Sequence, residues 1–432
     1  MKNRALSLVL AMVLSLGCFN SFSATASKQP SVYNQINLIT KDRSFTQDMD
    51  SVATIKSYLK TYFNVDSIND KMDYAAFIKA LNAVSGAKLK AGNTKLTFDS
   101  VIKSAVIAAN YEELALSYTQ TKVEDRLAYY KIKKTNNSQY LLAALDAGLI
   151  DLDIAKGAIS SANISSEDIT YILMNVANAT GNARNYLTYS NDPQIYSRLQ
   201  NQWNSFVLLD NAKLMNVGNK SVENKITTGF NVKKDSYNAR FLPSLTLQYG
   251  HSDIKHAHQL MALLNSEGII AKVQLEPKVS AFEYLLDWGP VPKATPTYEV
   301  KQVKEDLYIA YAVEYDLMLE FENKEQLQKF DSVIKAYAKK NDGNEEAKGL
   351  IYESWWQPLY SNTVQINKTD YHLIYDAVIK NDGYSLHPFC LPENLDKVKS
   401  ELEKIDKSLK VEPVARYCNT AFLNYMTGED HQ

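Results

Sequence analysis

Glycine is scarce in this chain, 15 residues out of 432, and none of them builds a G-x-G-x-x-G or Walker-type phosphate loop. Loop-based nucleotide binding therefore has little support, because wrapping a backbone around phosphate needs the close approach that glycine permits. Histidine is scarcer still, six residues without an H-E-x-x-H, and neither a G-x-S-x-G elbow nor a catalytic-cysteine signature is present. The commonest sequence marks of serine, cysteine and zinc hydrolases are thus missing. Positive charge is not in excess, since 47 Lys and Arg face 49 Asp and Glu; no basic field for nucleic acid is expected. After residue 17 there is no long apolar run, which leaves no candidate for a helical membrane span in the body of the chain.

The single apolar run stands at the start. Lys2 and Arg4 precede 13 residues from Ala5 to Gly17, and Ala24-Thr25-Ala26 offers small residues where a signal peptidase reads them. This predicts a signal peptide over 1–26, a mature protein beginning at Ser27, and a secreted, extracellular or cell-wall-associated location. Two other readings stay open. A membrane anchor would rest on a run shorter than the roughly 20 residues a bilayer needs. A lipoprotein would rest on Cys18, with Ser15 standing where a lipobox usually has Leu. Cleavage would leave 406 residues, 45 basic and 49 acidic, enough for two or three domains. The 28 Tyr fit an adhesive surface and a biased composition equally well.

Two cysteines remain after cleavage, Cys390 and Cys418. Export favours pairing, each lies at the end of a predicted strand flanking one helix, and the bridge would stabilise the chain by about 3.5 kcal/mol through loop-closure entropy. A disulfide is expected.

Helical spacing dominates the first half. A polar leader over 27–48 gives way to Val52, Ile55, Tyr58, Leu59 and Phe63 at helical intervals. A helix opens at Asp73 and stops before Gly86, another begins at Thr97, and a further one covers Tyr111 to Tyr130. The clearest pattern runs from Ser138 to Gly181. A first helix, opened by Ser138, ends at Gly148, where a left-handed cap is expected. A second starts with Ser165 and Asp168 three residues on, a capping box, and carries Ile169, Ile172, Leu173, Val176 and Ala177 to Gly181.

Three helix starts align as an internal repeat: MDYAAFIKAL from Met72, LTFDSVIKSA from Leu96 and ISSEDITYIL from Ile164. Together with the Ser138–Gly181 pair they resemble S-layer homology repeats, the helical modules that attach secreted bacterial proteins to cell-wall polymers. The resemblance covers residues 50 to 185. It implies an all-α scaffold over 49–190 and cell-wall polysaccharide, or another envelope component, as partner, with Ser165, Ser166, Glu167 and Asp168 as binding candidates. The family's start carries an arginine that contacts the anionic polymer; Tyr74, Phe98 and Ser166 occupy that place here, so the bidentate anion contact is absent in all three copies.

A connector over 191–240 contains one helical piece from Pro193 to Met215. Beyond Phe241 the period switches to alternation. Strands are predicted at Ser244, Ile269, Tyr308, Gly349, Tyr371, Tyr384 (YSLHPFC) and through VEPVARYC, with helices at His256–Glu267, Lys324–Lys340 and Glu393–Leu409. Asn381-Asp382-Gly383 between alternating runs marks a hairpin. Strand–helix–strand units with hairpins predict an α+β domain over 241–432, built as two ferredoxin-like halves.

Chemistry-bearing clusters lie in this second part. HSDIKHAH brings His251, Asp253, His256 and His258 together as metal donors. His256 and His258 diverge by about 200° on a helix, so only His251 or Asp253 with His256 shares a face; without a supporting metal motif the preferred reading is a polar helix start, with Asp253 favoured by the helix dipole. Glu276, Glu283 and Asp287 offer a carboxylate pair for glycoside hydrolysis. Trp355 and Trp356 offer sugar-stacking rings, one of them facing the core if the segment is a strand. The sequence thus predicts a secreted envelope protein that binds or anchors without chemistry, with no cofactor. The alternatives are an exported hydrolase, metal-dependent or glycoside-type, acting in the second domain, and a structural surface-assembly protein.

Overall fold

Short polar residues set the helix starts in the first half of the computed structural model, which describes residues 50–161, 164–208, 211–337, 343, 345–352, 359–361 and 363–429. Eight helices follow one another: α1 (Val52–Phe63), α2 (Tyr74–Ser85), α3 (Phe98–Ala108), α4 (Glu112–Ser117), α5 (Gln120–Tyr130), α6 (Ser138–Asp146), α7 (Leu152–Ser161) and α8 (Ser166–Ala179). Ser51, Asp73, Thr97 and Thr119 each accept an amide hydrogen of the first turn, satisfying a donor the helix itself leaves unpaired. Ser165 and Asp168 form the expected capping box. Gly86, Gly148 and Gly181 end their helices at positive φ, +74°, +67° and +72°. The aligned residues Tyr74, Phe98 and Ser166 are all first residues of helices, behind the caps Asp73, Thr97 and Ser165. α8 packs on α1 and α2, and α3 on α2 and α6.

The remainder is a sheet wrapped in helices. Its elements are β1 (Thr188–Tyr189), α9 (Ile195–Asn204), α10 (Ala212–Glu223), β2 (Gly229–Lys234), β3 (Thr246–His251), α11 (Ile254–Ser266), β4 (Ala271–Tyr284), β5 (Tyr298–Lys304), β6 (Leu307–Phe321), α12 (Lys324–Tyr337), β7 (Leu359–Ser361), β8 (Tyr371–Asn381), β9 (Tyr384–His387), β10 (Phe389–Cys390), α13 (Leu395–Ile405), β11 (Val411–Asn419) and α14 (Thr420–Thr427). Every pairing is antiparallel. The order β4-β2-β9-β8-β11-β7-β3-β6 returns to β4, because β4 and β6 pair from Ala271↔Phe321 to Tyr284↔Tyr308. Eight strands therefore close a barrel, with β1, β5 and β10 added outside the ring on β4, β6 and β8.

Strand alternation sorts the side chains of this barrel. On β4, Val273, Leu275, Val279 and Ala281 face outward, and on β6 Val313, Tyr315, Leu317 and Leu319 do the same. Helices cover that apolar exterior: α9, α11 and α12 on one side, α10 and α13 on the other. Leu260, Met261 and Leu264 of α11 and Leu327 and Phe330 of α12 are buried there, each contributing about 1.5–3 kcal/mol of transfer free energy. The alternate residues, including Lys272, Gln274, Glu276, Lys278, Asp316 and Glu320, point into the lumen and are buried although charged or polar. An eight-stranded lumen is narrow enough for its own side chains to fill.

Several expectations are corrected by this architecture. The second half is not an α+β domain of two ferredoxin-like halves but a closed barrel sheathed by helices; the alternating strands were legible, their closure was not. The connector contributes a barrel strand, β2, and its predicted helical piece is two helices, α9 ending at Asn204 and α10 beginning at Ala212. Cys390 and Cys418 are separate buried thiols. β10 and β11 pair with opposite edges of β8, so two strand spacings, about 9.5 Å, separate them where a disulfide needs Cα atoms within about 7 Å. Burial pushes the two thiols up, to about 11 for Cys390 and about 12 for Cys418. The signal and leader segments and residues 353–356 of the Gly349 strand lie outside the described residues. Among the described residues no helix is long and apolar enough to cross a membrane.

Candidate functional site

The lumen is built from residues that strand register brings to one inner face. Asp316 of β6 is fully buried between Lys278, 2.8 Å away, and Lys233 of β2. Burial alone would raise its carboxyl, but the two ammonium groups outweigh that and hold it well below the usual carboxylate range. Lys233 also meets Glu276 at 3.3 Å, and Glu276 accepts the Ala239 amide at 2.8 Å. Tyr360 donates to Asp316 at 3.4 Å and accepts from Gln248. On the far wall, Arg416 of β11 grips Asp376 of β8 at 2.9 and 3.0 Å. Burial opposes the ionised form of Asp376, and His387 with Arg416 outweighs it, so this carboxyl too is depressed. His387 Nδ1 lies 2.9 Å from Asp376 Oδ2, and its Nε2 lies 2.8 Å from Ser385 Oγ.

One end of the lumen is sealed by the helical region. Arg184 bonds Glu320 at 2.7 Å and Asp50 at 3.0 Å, Lys272 bonds Asp50 at 3.0 Å, and the Arg184 guanidinium stands 4.1 Å over the Tyr58 ring. Tyr58 and Tyr62 donate to the carbonyls of Arg240 and Phe241. At the other end lies α14, whose Phe422 packs 5.4 Å from Phe389 and 6.1 Å from Tyr360.

A second candidate is a groove of about 730 Å³ in the helical region, bordered by α2, α3, α7 and the turn before α6. Tyr74 and Phe98 lie in its wall, with the Tyr74 hydroxyl 2.7 Å from Ser104 Oγ. Thr94, Thr97, Ser100, Asn136 and Asn137 add hydroxyl and amide groups. Lys90 and Lys103 are exposed and outnumber the single carboxylate, Asp99.

The residues singled out in the sequence fall into place unevenly. Ser165, Ser166, Glu167 and Asp168 sit at the start of α8, outside the groove. Ser165 and Asp168 bond each other at 2.7 Å, and the Ser166 amide donates to Asp70 at 3.2 Å. The proposed metal donors His251 and His256 do meet, but as rings 4.1 Å apart; His251 Nδ1 accepts from the Ser252 and Asp253 amides, while Asp253 caps α11. No group of three metal-holding side chains forms among the described residues. Glu276 and Glu283 stand seven positions apart on β4, hence on opposite faces and about 23 Å apart, too far for a glycosidase pair; Asp287 is exposed in the following turn. Trp355 and Trp356 lie outside the described residues.

Sequence reading missed Ser385, His387 and Asp376. The signal was available in part: Ser-Leu-His in a predicted strand puts Ser385 and His387 on one face. Asp376 joins them only through the β8–β9 hairpin around Asp382 and Gly383, whose φ values are +47° and +76°.

Compared with family models, with characterised proteins and with solved structures, the chain matches none. The class it can be placed in is therefore architectural: a helix-sheathed, closed antiparallel barrel with a charged lumen, preceded in sequence by a helical region with eight helices among the described residues.

Proposed function

We propose that this is a secreted cell-envelope protein anchored to an anionic wall polysaccharide through its helical region, which itself binds and performs no chemistry. The observation that carries the reading is the lining of the α2–α3 groove. Tyr74 and Phe98 stand in the arginine's place of the S-layer homology pattern; half-buried Tyr74 supplies aromatic surface for sugar rings, while Phe98 is buried behind it. Hydroxyl and amide groups can pair with glycan hydroxyls, and Lys90 with Lys103 offers net positive charge. An ammonium is a point charge rather than a bidentate fork, so the binding should be weaker and more salt-sensitive than an arginine-based site. The Ala5–Gly17 run and the small residues at 24–26 support export.

Co-sedimentation of the full chain with purified cell walls tests this. Binding is expected to fall at least about tenfold when wall secondary polymers are stripped or when Lys90→Glu and Lys103→Glu are combined. Equal binding to stripped walls would overturn the reading.

A further inference from the structure

Beside its charged pairs the lumen holds a histidine. His387 is buried at 7% exposure and bonded on both ring nitrogens, to Asp376 Oδ2 and to Ser385 Oγ. An ionised Asp376 only accepts, so Nδ1 donates to it, and in the ring's neutral form Nε2 is left to accept the Ser385 hydroxyl proton. Asp, His and Ser therefore stand in the order used for nucleophile activation, an arrangement recognised by geometry and not by sequence position.

We propose that Ser385 is the nucleophile of an acyl-transfer site acting on small carboxylic esters, with His387 as general base and Asp376 as the residue that positions the ring. Ser385 Oγ attacks the ester carbonyl carbon while its proton passes to His387 Nε2. The bond to the leaving alcohol breaks as His387 returns that proton to the alcohol oxygen. Water then attacks the acyl–Ser385 ester, gives its proton through His387 back to Ser385, and the acid departs. Lys233, the cross-strand partner of Ser385, places a cation on the same inner face as the developing oxyanion.

Access runs past α14. Tyr425 on that helix lies within reach of the Glu314 charge. Glu314 accepts from Ser280, whose Oγ lies 2.7 Å from Asn231 Oδ1, and Asn231 is the strand partner of His387. α14 thus covers one end of the lumen; Ser385, paired with Lys380 beside the β8–β9 hairpin, lies deeper from that end than His387. None of its residues is buried, so lifting it costs little compared with opening the barrel wall.

The test treats the full chain with a fluorophosphonate probe and maps the adduct by mass spectrometry. A single adduct on Ser385 is expected, absent in Ser385→Ala, about 100-fold slower in His387→Gln, and faster in Phe422→Ala, where the covering helix is loosened. The positioning role is read by proton NMR: a far-downfield imidazole Nδ1 proton is expected in the native chain and in Ser385→Ala, and lost in Asp376→Asn. Absence of a Ser385 adduct in both the native chain and Phe422→Ala, or an undiminished rate in His387→Gln, overturns the proposal. Neither readout depends on wall binding by the groove.

Discussion

Asp316 and Asp376 carry the energetic tension of the molecule. Each is a fully buried carboxylate, a situation that costs several kcal/mol unless cations and hydrogen bonds compensate. Lys233 and Lys278 do so for one, Arg416 for the other, with His387 bonded to the same carboxylate. Because both carboxyl groups titrate lower folded than unfolded, their contribution is complete above the unfolded value near 3.9. It is lost as pH falls toward the folded values. Urea midpoints should therefore change little from these groups between pH 7 and pH 5, then drop below about pH 4. Asp316→Asn should lower the midpoint at pH 7 and lessen the acid-induced drop; parallel curves for the two proteins would show that the lumen pair does not set the acid limit.

At the level of elements, most of the helices and strands could be read from the sequence, and the way they join could not. Caps did much of the work in the first half: Ser165 with Asp168, and Gly148 and Gly181, mark real helix ends. Ser165→Ala should cost about 1 kcal/mol, within the 0.5–2 kcal/mol range of lost N-caps, as a shift in urea midpoint, with wall co-sedimentation unchanged. Lost binding without lost stability would return the α8 start to the list of contact residues. In the second half, β4 shows why the barrel stayed hidden. Lys272-Val273-Gln274-Leu275-Glu276 alternates as any half-wet strand does. Periodicity says that the polar face is not packed against apolar groups; it does not say whether water or a ring of opposite charges lies against it. Likewise β2, six residues inside a polar connector, has its partners in β4 and β9, far away in sequence, and no local signal announces them.

Across the whole molecule, a helical region and a barrel are joined by buried charge. Arg184, Asp50, Lys272 and Glu320 lock the sealed end of the lumen. Burial would lower the Arg184 charge affinity for its proton, and Glu320 with Asp50 more than restores it. Such a network gains from being kept intact, since removing one partner strands the others away from water. The groove of α2 and α3 lies elsewhere in the helical region and shares no lining residue with this lock, so a ligand there need not disturb the barrel. The groove was partly legible: Tyr74 and Phe98 stood out in the repeat alignment, while Lys90, Lys103 and the 135–137 turn reach it only through the packing of α3 against α6.

The most direct measurement of the central claim is amide hydrogen exchange on the full chain, with and without purified wall polysaccharide at saturation. Exchange should slow in 74–78, 97–104 and 135–137 and stay unchanged in the barrel strands. Protection confined to the barrel, or no change anywhere, would contradict the assignment of the helical groove as the binding site.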